Sequence, residues 1–213
     1  MRTSIAALDH LVLATPDIHA TAAWLAERTG VTPSAGGQHV GKGTRNMLCS
    51  FGPSSYLEIV GPDPEQDDPG FPRPFGIDDL TEARMVAWAI AVPDMDTALE
   101  TARTAGYDPG PAAAMQRMRP DGVLLDWKLT VNLSVTTPFL IDWGTSAHPA
   151  ATAAPGLVLS ELRARHPHPD ALDGQLAALG VTMGVMRGPE ALLVELHGPL
   201  GDASFPSADD VRL

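Results

Sequence analysis

Residues 8–17 read LDHLVLATPD, a short apolar run that stops at a proline followed by an aspartate. The alternation within this run predicts a β-strand with two different faces. Pro16 ends the strand pattern, and Asp17 is a residue type that commonly caps the first turn of a helix. The Ala- and Leu-rich residues that follow reach Gly30, and glycine favours the left-handed backbone that closes a helix. The stretch therefore predicts a strand followed directly by a helix.

The outline of this stretch returns twice along the chain. VAWAIAVPD occupies 86–94, and LSELRARHPHPD at 159–170 is a looser copy. The Pro-Asp pairs begin at Pro16, Pro93 and Pro169, which are 77 and then 76 residues apart. Self-similarity at a nearly fixed spacing indicates repeated structural units. We therefore expect three modules that each begin with a strand and a helix.

Further strand patterns complete these modules. Three follow the helix in each of the first two modules and two follow it in the third, with turn sequences such as RPDG at 119–122. The predicted fold class is therefore α+β, with paired βαβββ modules and a third, shortened βαββ module. The predicted boundaries are 1–62 for the first module, 63–83 for a Pro/Asp-rich linker, 84–147 for the second module, 148–156 for a linker, 157–200 for the third module and 201–213 for a loosely ordered tail.

Composition limits the classes of partner. The formal net charge of the 213 residues is −12, whereas nucleic-acid affinity comes largely from Lys and Arg that neutralise phosphates. We therefore expect no nucleic-acid partner, and the acidic charge slightly favours a cationic ligand. Residues 1–7 contain no long apolar run, and no run elsewhere approaches the ~18 residues of a membrane helix. These features predict a cytoplasmic protein with no membrane partner.

Paired βαβββ modules with a histidine in the first strand and a glutamate in the fourth resemble the vicinal-oxygen-chelate superfamily. The local sequence resembles its glyoxalase-like branch, which includes the glyoxalase, bleomycin-resistance and dioxygenase proteins. The motifs that carry this resemblance are DHLV (9–12), GGQH (36–39) with GTRN (43–46), YLE (56–58) and PFLIDW (138–143). The resemblance implies eight strands in a curved mixed sheet, with a cup on one face and helices on the outer face. Because superfamily members catalyse several reactions or only bind compounds, it does not assign a reaction.

His10 and Glu58 are the predicted centre of the site. Side chains alternate between the two faces of a strand, so His10 shares a face with Val12, and Glu58 shares one with Val60. If the intervening leucine and isoleucine residues pack on the helices, both polar side chains enter the cup. An imidazole and a carboxylate suit a divalent metal such as Zn, Ni, Fe or Mn, which would act as a Lewis acid. They suit equally an acid–base pair or a hydrogen-bonded core histidine.

The second module does not repeat this pair. Superposing its Pro-Asp on that of the first module places Ala87 opposite His10, and either Ile141 or Asp142 opposite Glu58. The resemblance implies a four-ligand set of two histidines and two carboxylates. Only two of those positions are met here, or three if Asp142 faces the cup.

Four more residues are predicted to contact the ligand. His39 is placed in a glycine-rich loop that can approach a ligand closely, and Asn46 offers an amide on the next strand. Trp127 and Asp142 are placed on the far wall of the cup. The alternative interpretations are a turn residue for His39 and a core residue for Trp127.

These observations support three functional hypotheses. The first is a glyoxalase-like small-molecule enzyme of the lyase, isomerase or dioxygenase type, with a possible dependence on one divalent metal ion. The alternative is a metal-free, small-molecule or drug-binding protein of the bleomycin-resistance type, and the third is a scaffold protein whose site has decayed. The predicted partner is a small-molecule ligand. Open sheet edges favour either a homodimer or coverage by the third module.

Overall fold

The computed structural model describes residues 8–131 and 134–207, and this part of the chain is a mixed α+β fold that is mostly sheet. The fold class predicted from the sequence is confirmed at this level. In chain order the elements are β1 (Leu8–Ala14), α1 (Ile18–Thr29), β2 (Ser34–His39), β3 (Thr44–Gly52), β4 (Ser55–Pro62), β5 (Arg84–Ala91), α2 (Met95–Thr104), β6 (Ala112–Met118), β7 (Leu124–Thr130), β8 (Phe139–Asp142), β9 (Val158–His166), α3 (Pro169–Ala178), β10 (Gly184–Arg187), β11 (Ala191–Gly198) and β12 (Gly201–Ala203).

The first two helices begin where the Pro-Asp pairs predict. The Asp17 carboxylate accepts hydrogen bonds from the backbone N–H groups of His19 and Ala20, and Gly30 closes α1 in the left-handed conformation. Asp94 accepts from the backbone N–H of Thr97 in the same way at the start of α2. No helix within the described residues is both long and apolar enough to cross a membrane.

Eight strands form a curved mixed sheet that closes on itself. The hydrogen-bonded order is β1-β4-β3-β2-β6-β7-β8-β5, and β5 pairs with β1. Within each half the first strand is parallel to the fourth and the other pairs are antiparallel. The two halves meet at the antiparallel pairs β1–β5 and β2–β6. Within the described chain these pairs leave the eight-stranded sheet no free edge that a second copy could cover. A homodimer stays a prediction, but open sheet edges no longer favour it.

The third module differs from the prediction in two ways. Residues 201–203, expected to belong to a loose tail, form β12 and pair with β11, and the Met85 N–H donates to the carbonyl of Pro206. The strand order is β10-β9-β11-β12, so β10 and β11, which the sequence predicts to form a hairpin about residues 188–190, both pair with β9 instead of with each other. Residues 208–213 of the predicted tail and residues 1–7 of the first module lie outside the described residues.

The barrel wall separates two apolar layers. Leu11 and Leu13 of β1 point outward and belong to one buried cluster with residues of all three helices and of the second sheet. Trp88 belongs to this outer cluster, and its indole N–H donates to the Thr136 carbonyl. Val12 and Val60 point inward and belong to a separate cluster inside the barrel. The positions that alternate with the outer residues, including His10 and Glu58, therefore face the interior.

Candidate functional site

The interior of the barrel contains a partly open cavity of about 180 Å³. An apolar cavity of about 150 Å³ binds benzene, so this space suits a compound built on a single ring or a short chain. Polar side chains from both halves line part of it, and aromatic and aliphatic side chains line the rest. The polar set is His10, His39, Lys42, Thr44, Asn46, Glu58 and Arg117, and the aromatic set is Tyr56, Phe75, Trp127, Phe139 and Trp143.

Glu58 is the centre of the polar set. Strands β1 and β4 are parallel neighbours with His10 opposite Tyr56, which brings the side chains of His10 and Glu58 together. The Glu58 Oε2 lies 3.6 Å from His10 Nε2, and its Oε1 lies 3.4 Å from His39 Nε2. The Asn46 side-chain amide donates to the same Oε1 at 2.5 Å. Three other residues predicted from the sequence, His10, His39 and Asn46, therefore meet at the Glu58 carboxylate.

The carboxyl group of Glu58 is ionised. Burial raises its pKa, but the hydrogen bonds with His39 and Asn46 and the charges of His39 and His10 outweigh burial and lower the pKa to about 2. A buried carboxylate held by this number of polar partners keeps its charge at neutral pH. Glu58 is consequently an anion inside a largely apolar cavity.

Asp9 holds the opposite side of the His10 ring. Its Oδ1 lies 2.6 Å from His10 Nδ1, and its Oδ2 accepts from the Trp143 indole at 2.9 Å and lies 3.0 Å from His148 Nε2. Burial raises the pKa of Asp9, whereas hydrogen bonds with His10 and His148 and their charges lower it to about 2. An ionised carboxylate only accepts hydrogen bonds, so the Nδ1 of His10 carries a proton. Nε2, the other ring nitrogen, faces Glu58.

The low pKa values of Glu58 and Asp9 lead us to expect that the fold loses stability in acid. Their pKa values in the folded state, about 2, lie below the ordinary values of 4.5 for Glu58 and 3.8 for Asp9. Their contribution to stability is therefore complete above about pH 4.5 and is lost as the pH falls towards 2. We expect the free energy of unfolding in urea to fall by roughly 2 kcal/mol per carboxylate over this range. A double Asp9→Asn, Glu58→Gln variant should show a much flatter profile, and a flat wild-type profile would contradict the expectation.

Arg117 is a buried polar residue of the cavity that the sequence analysis did not predict. It lies on β6 in register with His39 of β2, so it enters the cavity from the second half at the seam between the halves. Its Nη1 donates to Asn46 Oδ1 at 2.9 Å, which turns the amide nitrogen of Asn46 towards Glu58. The sequence holds one indication of this inward position. Arg117 lies two residues after Met115 on the same strand, so the two side chains share a face, and both line the cavity.

Gly36 makes room for this contact between the halves. A Cβ at this position would lie 2.1 Å from Asn46 Oδ1 and 2.8 Å from Arg117 Nη1. We expect Gly36→Ala to displace both side chains and to lower the affinity of the cavity for a bound compound by roughly 10-fold or more, since Asn46 and Arg117 would no longer be positioned to contact it. Gly174→Ala is the matched control, because a Cβ there meets nothing within 4 Å. Titration calorimetry of both variants checks the effect, and wild-type affinity in Gly36→Ala would contradict it.

Two predicted placements are wrong. The Asp142 carboxylate accepts from the backbone N–H groups of Met95 and Gly144, at 3.0 and 2.8 Å, and is not among the residues lining the cavity. Ile141 takes the inward position instead, because adjacent residues of a strand face opposite ways. His39 is the last residue of β2 rather than a loop residue, although it reaches the cavity as expected.

A family model described as a glyoxalase-like domain matches residues 8–180 of the chain. The chain belongs to this family. The predicted resemblance to the glyoxalase-like branch of the vicinal-oxygen-chelate superfamily is confirmed. No protein among the curated proteins matches the sequence.

Solved structures resemble this glyoxalase-like domain at low sequence identity. A hypothetical protein from Staphylococcus aureus matches 93% of this chain and 84% of its own, with 12% identity and a TM-score of 0.56, and therefore shares the fold. Methylmalonyl-CoA epimerase from Mycobacterium tuberculosis matches 67% of this chain and 90% of its own, with 16% identity and a TM-score of 0.41. A mutant of 4-hydroxymandelate synthase from Streptomyces coelicolor matches 99% of this chain and 65% of its own, with 14% identity and a TM-score of 0.45.

The donor set of the glyoxalase-like domain does not fit a divalent metal. His10 and His39 contact different oxygens of Glu58, and among residues 8–131 and 134–207 no three His, Cys, Asp or Glu side chains are grouped to hold an ion. The inward positions of the second half offer Ala87 and Ile141, which cannot be ligands. The guanidinium of Arg117 also brings a positive charge into the same cavity. The residues present are therefore suited to acid–base chemistry rather than to chelation.

Proposed function

We propose that this glyoxalase-like domain is a small-molecule enzyme that moves a proton on a ligand held in the barrel cavity, as isomerases and lyases do. His10 and Glu58 form the acid–base pair. The observation that carries the proposal is the His10 imidazole, which lies between two buried, ionised carboxylates and lines a largely apolar cavity. Membership of the glyoxalase-like family supports a small-molecule enzyme. The donor set favours these reaction types over a dioxygenase, which would require a metal held by the protein.

The roles follow from the hydrogen bonds. Asp9 accepts from Nδ1–H of His10 and so leaves Nε2 to take a proton from the ligand. Glu58 then faces the protonated ring across 3.6 Å and keeps the transferred charge paired. Return of the proton to a different atom or face of the ligand completes an isomerisation, and departure of a neighbouring group completes an elimination. The aromatic wall holds the body of the ligand and excludes water from the reacting atoms.

A metal-free binding protein is the second candidate. The inward positions of the second half that correspond to His10 and Glu58 hold the apolar Ala87 and Ile141. Aromatic rings, including those of Trp127 and Trp143 whose centroids lie 5.1 Å apart, provide a surface typical of small-molecule sites. A binding protein of this kind would retain its ligand unchanged.

Hydrogen exchange with solvent separates the two candidates. The protein is incubated in D₂O with a panel of small 2-oxo acids, 2-hydroxy ketones and 2-substituted acids, and deuterium at carbon is followed by NMR. We expect protein-dependent exchange at the carbon next to a carbonyl in at least one compound, and its loss in His10→Gln. Binding of panel compounds without any exchange would favour the binding protein and contradict the enzyme.

A further inference from the structure

We infer that the ligand of the cavity is a small carboxylic acid whose carboxylate binds Arg117. This inference rests on the cavity being the functional site proposed above. It adds the chemical class of the ligand and a residue that selects it.

The guanidinium of Arg117 is buried without a counter-ion from the part of the chain that the structure describes. Arg117 is 3% exposed and lines the cavity, yet no acidic side chain of the described chain forms an ion pair with it. Its Nη1 donates to the neutral amide of Asn46, and its Nε has no hydrogen-bond partner among the described residues. Burying a cation in this way is costly unless an anion pairs with it. A ligand carboxylate would supply that anion, because its two oxygens match the donors of a guanidinium.

A second unpaired donor lines the same cavity. The indole N–H of Trp127 is buried and has no hydrogen-bond partner within residues 8–131 and 134–207. An indole N–H only donates, as do all the N–H groups of Arg117, so both orphaned groups require acceptor atoms. An ionised carboxylate carries only acceptors. The unpaired groups of this cavity therefore complement an acid and leave an amine without a partner.

The charged side chains of the cavity that form no ion pair within the described chain are positive, whereas the net charge of the chain is negative. Glu58 is the anion of the cavity, and it is already engaged with Asn46 and with two imidazoles. Lys42 also lines the cavity, and no acidic side chain of the described chain pairs with it. The local charge thus opposes the cationic ligand that the overall charge of −12 suggested.

The position of Arg117 places the proposed carboxylate site close to the acid–base pair of His10 and Glu58. Asn46 connects Arg117 to Glu58 through one hydrogen bond on each side of its amide. A carboxylate bound to Arg117 therefore lies a few atoms from the acid–base pair, which places the carbons nearest to the carboxylate beside His10 and Glu58. The volume of about 180 Å³ and the aromatic wall set the size of the remaining part at roughly one ring or a short chain.

Matched ligands test the inference directly. Phenylacetate, pyruvate and phenylpyruvate are titrated into the full chain by calorimetry, beside phenylacetamide, pyruvamide and 2-phenylethylamine. We expect at least one acid to bind roughly 10-fold or more tightly than its amide, since a charged hydrogen-bonded pair is lost in the amide. Arg117→Met should abolish this preference, and Arg117→Lys should retain part of it. Tighter binding of the amine, or no acid that binds better than its amide, would overturn the inference.

Two comparisons keep a folding defect apart from a loss of binding. Arg119→Met is the matched control, because Arg119 pairs with Asp121 outside the cavity, and it should keep the wild-type preference. Without ligand, Arg117→Met should melt at the wild-type temperature or above it, since it removes an unpaired buried charge. A lower melting temperature together with an unchanged acid preference would assign Arg117 a purely structural role and overturn the inference.

The same ligands distinguish failure here from failure of the proposed function. Acids that bind through Arg117 without exchanging deuterium would contradict the enzyme and leave the anion site standing. Deuterium exchange into a neutral ketone at the same rate in wild type and Arg117→Met, with no acid preferred, would leave the enzyme standing and overturn the anion site.

Discussion

Replacing His10 with glutamine is expected to lower kcat/KM for proton transfer by roughly 10²- to 10⁴-fold, which is the usual contribution of a positioned general base. Glutamine preserves polarity but cannot accept and release a proton at neutral pH. Glu58→Gln should cause a loss of the same order, since it removes the anion that faces the protonated ring. The measurement is the rate of deuterium exchange on the best compound of the panel, with ligand affinity measured in parallel.

Exposed residues of the same types provide matched controls. His19 and Glu27 lie on the solvent-facing side of α1, so His19→Gln and Glu27→Gln should exchange deuterium at the wild-type rate. Undiminished exchange in His10→Gln, with the protein folded, would remove the acid–base pair from the mechanism. Loss of ligand affinity without loss of turnover would assign His10 to binding alone.

Asp9→Asn is expected to lower kcat by roughly 10²-fold or more with little change in KM, through the tautomer of His10. An asparagine amide can donate to Nδ1 of His10, which leaves the proton on Nε2 and removes the acceptor that faces the cavity. Asp9 acts through His10, so it is a positioning residue. Nitrogen NMR of the His10 ring should report a proton on Nδ1 in the wild type and on Nε2 in the variant, and the pH profile of kcat should change shape.

Asp126→Asn is the control for this change, because the Asp126 carboxylate is exposed and hydrogen-bonds only with Ser146 among the described residues. It should leave kcat, the pH profile and the ring nitrogen signals unchanged. An Asp9→Asn variant that loses stability but keeps the wild-type pH profile and the Nδ1 proton would show that Asp9 serves only the fold. Some loss of stability accompanies either result, since the Trp143 indole and His148 share the same carboxylate.

Much of the barrel could be predicted because its rules act over short distances. The caps at Asp17 and Asp94 need only the residues next to them, and the alternation along β1 and β4 places apolar residues towards the helices. Closure of the barrel is a long-range event. The pair β2–β6 joins 38–39 to 117–118, and the glycines of β2 show no alternation from which a face could be inferred. The strand order of the third module likewise depends on tertiary packing.

The site could be predicted in the first half and only partly in the second. His10 and Glu58 meet because two inward positions lie on neighbouring parallel strands, which period-two alternation predicts. Asp142 was misplaced because a shift of one residue reverses the face of every side chain in a strand. Arg117 was missed because arginine is usually exposed, and its inward position becomes evident only once β6 is paired with β2.

The most direct measurement is the deuterium exchange rate of protein from which metals have been removed with a chelator, compared with untreated protein and with His10→Gln. If His10 and Glu58 act as an acid–base pair, wild-type exchange on the best panel compound should be equal before and after chelation and absent in His10→Gln. Exchange that stops on chelation and returns with added Zn, Ni, Fe or Mn would contradict this mechanism and would make His10 and Glu58 metal ligands instead.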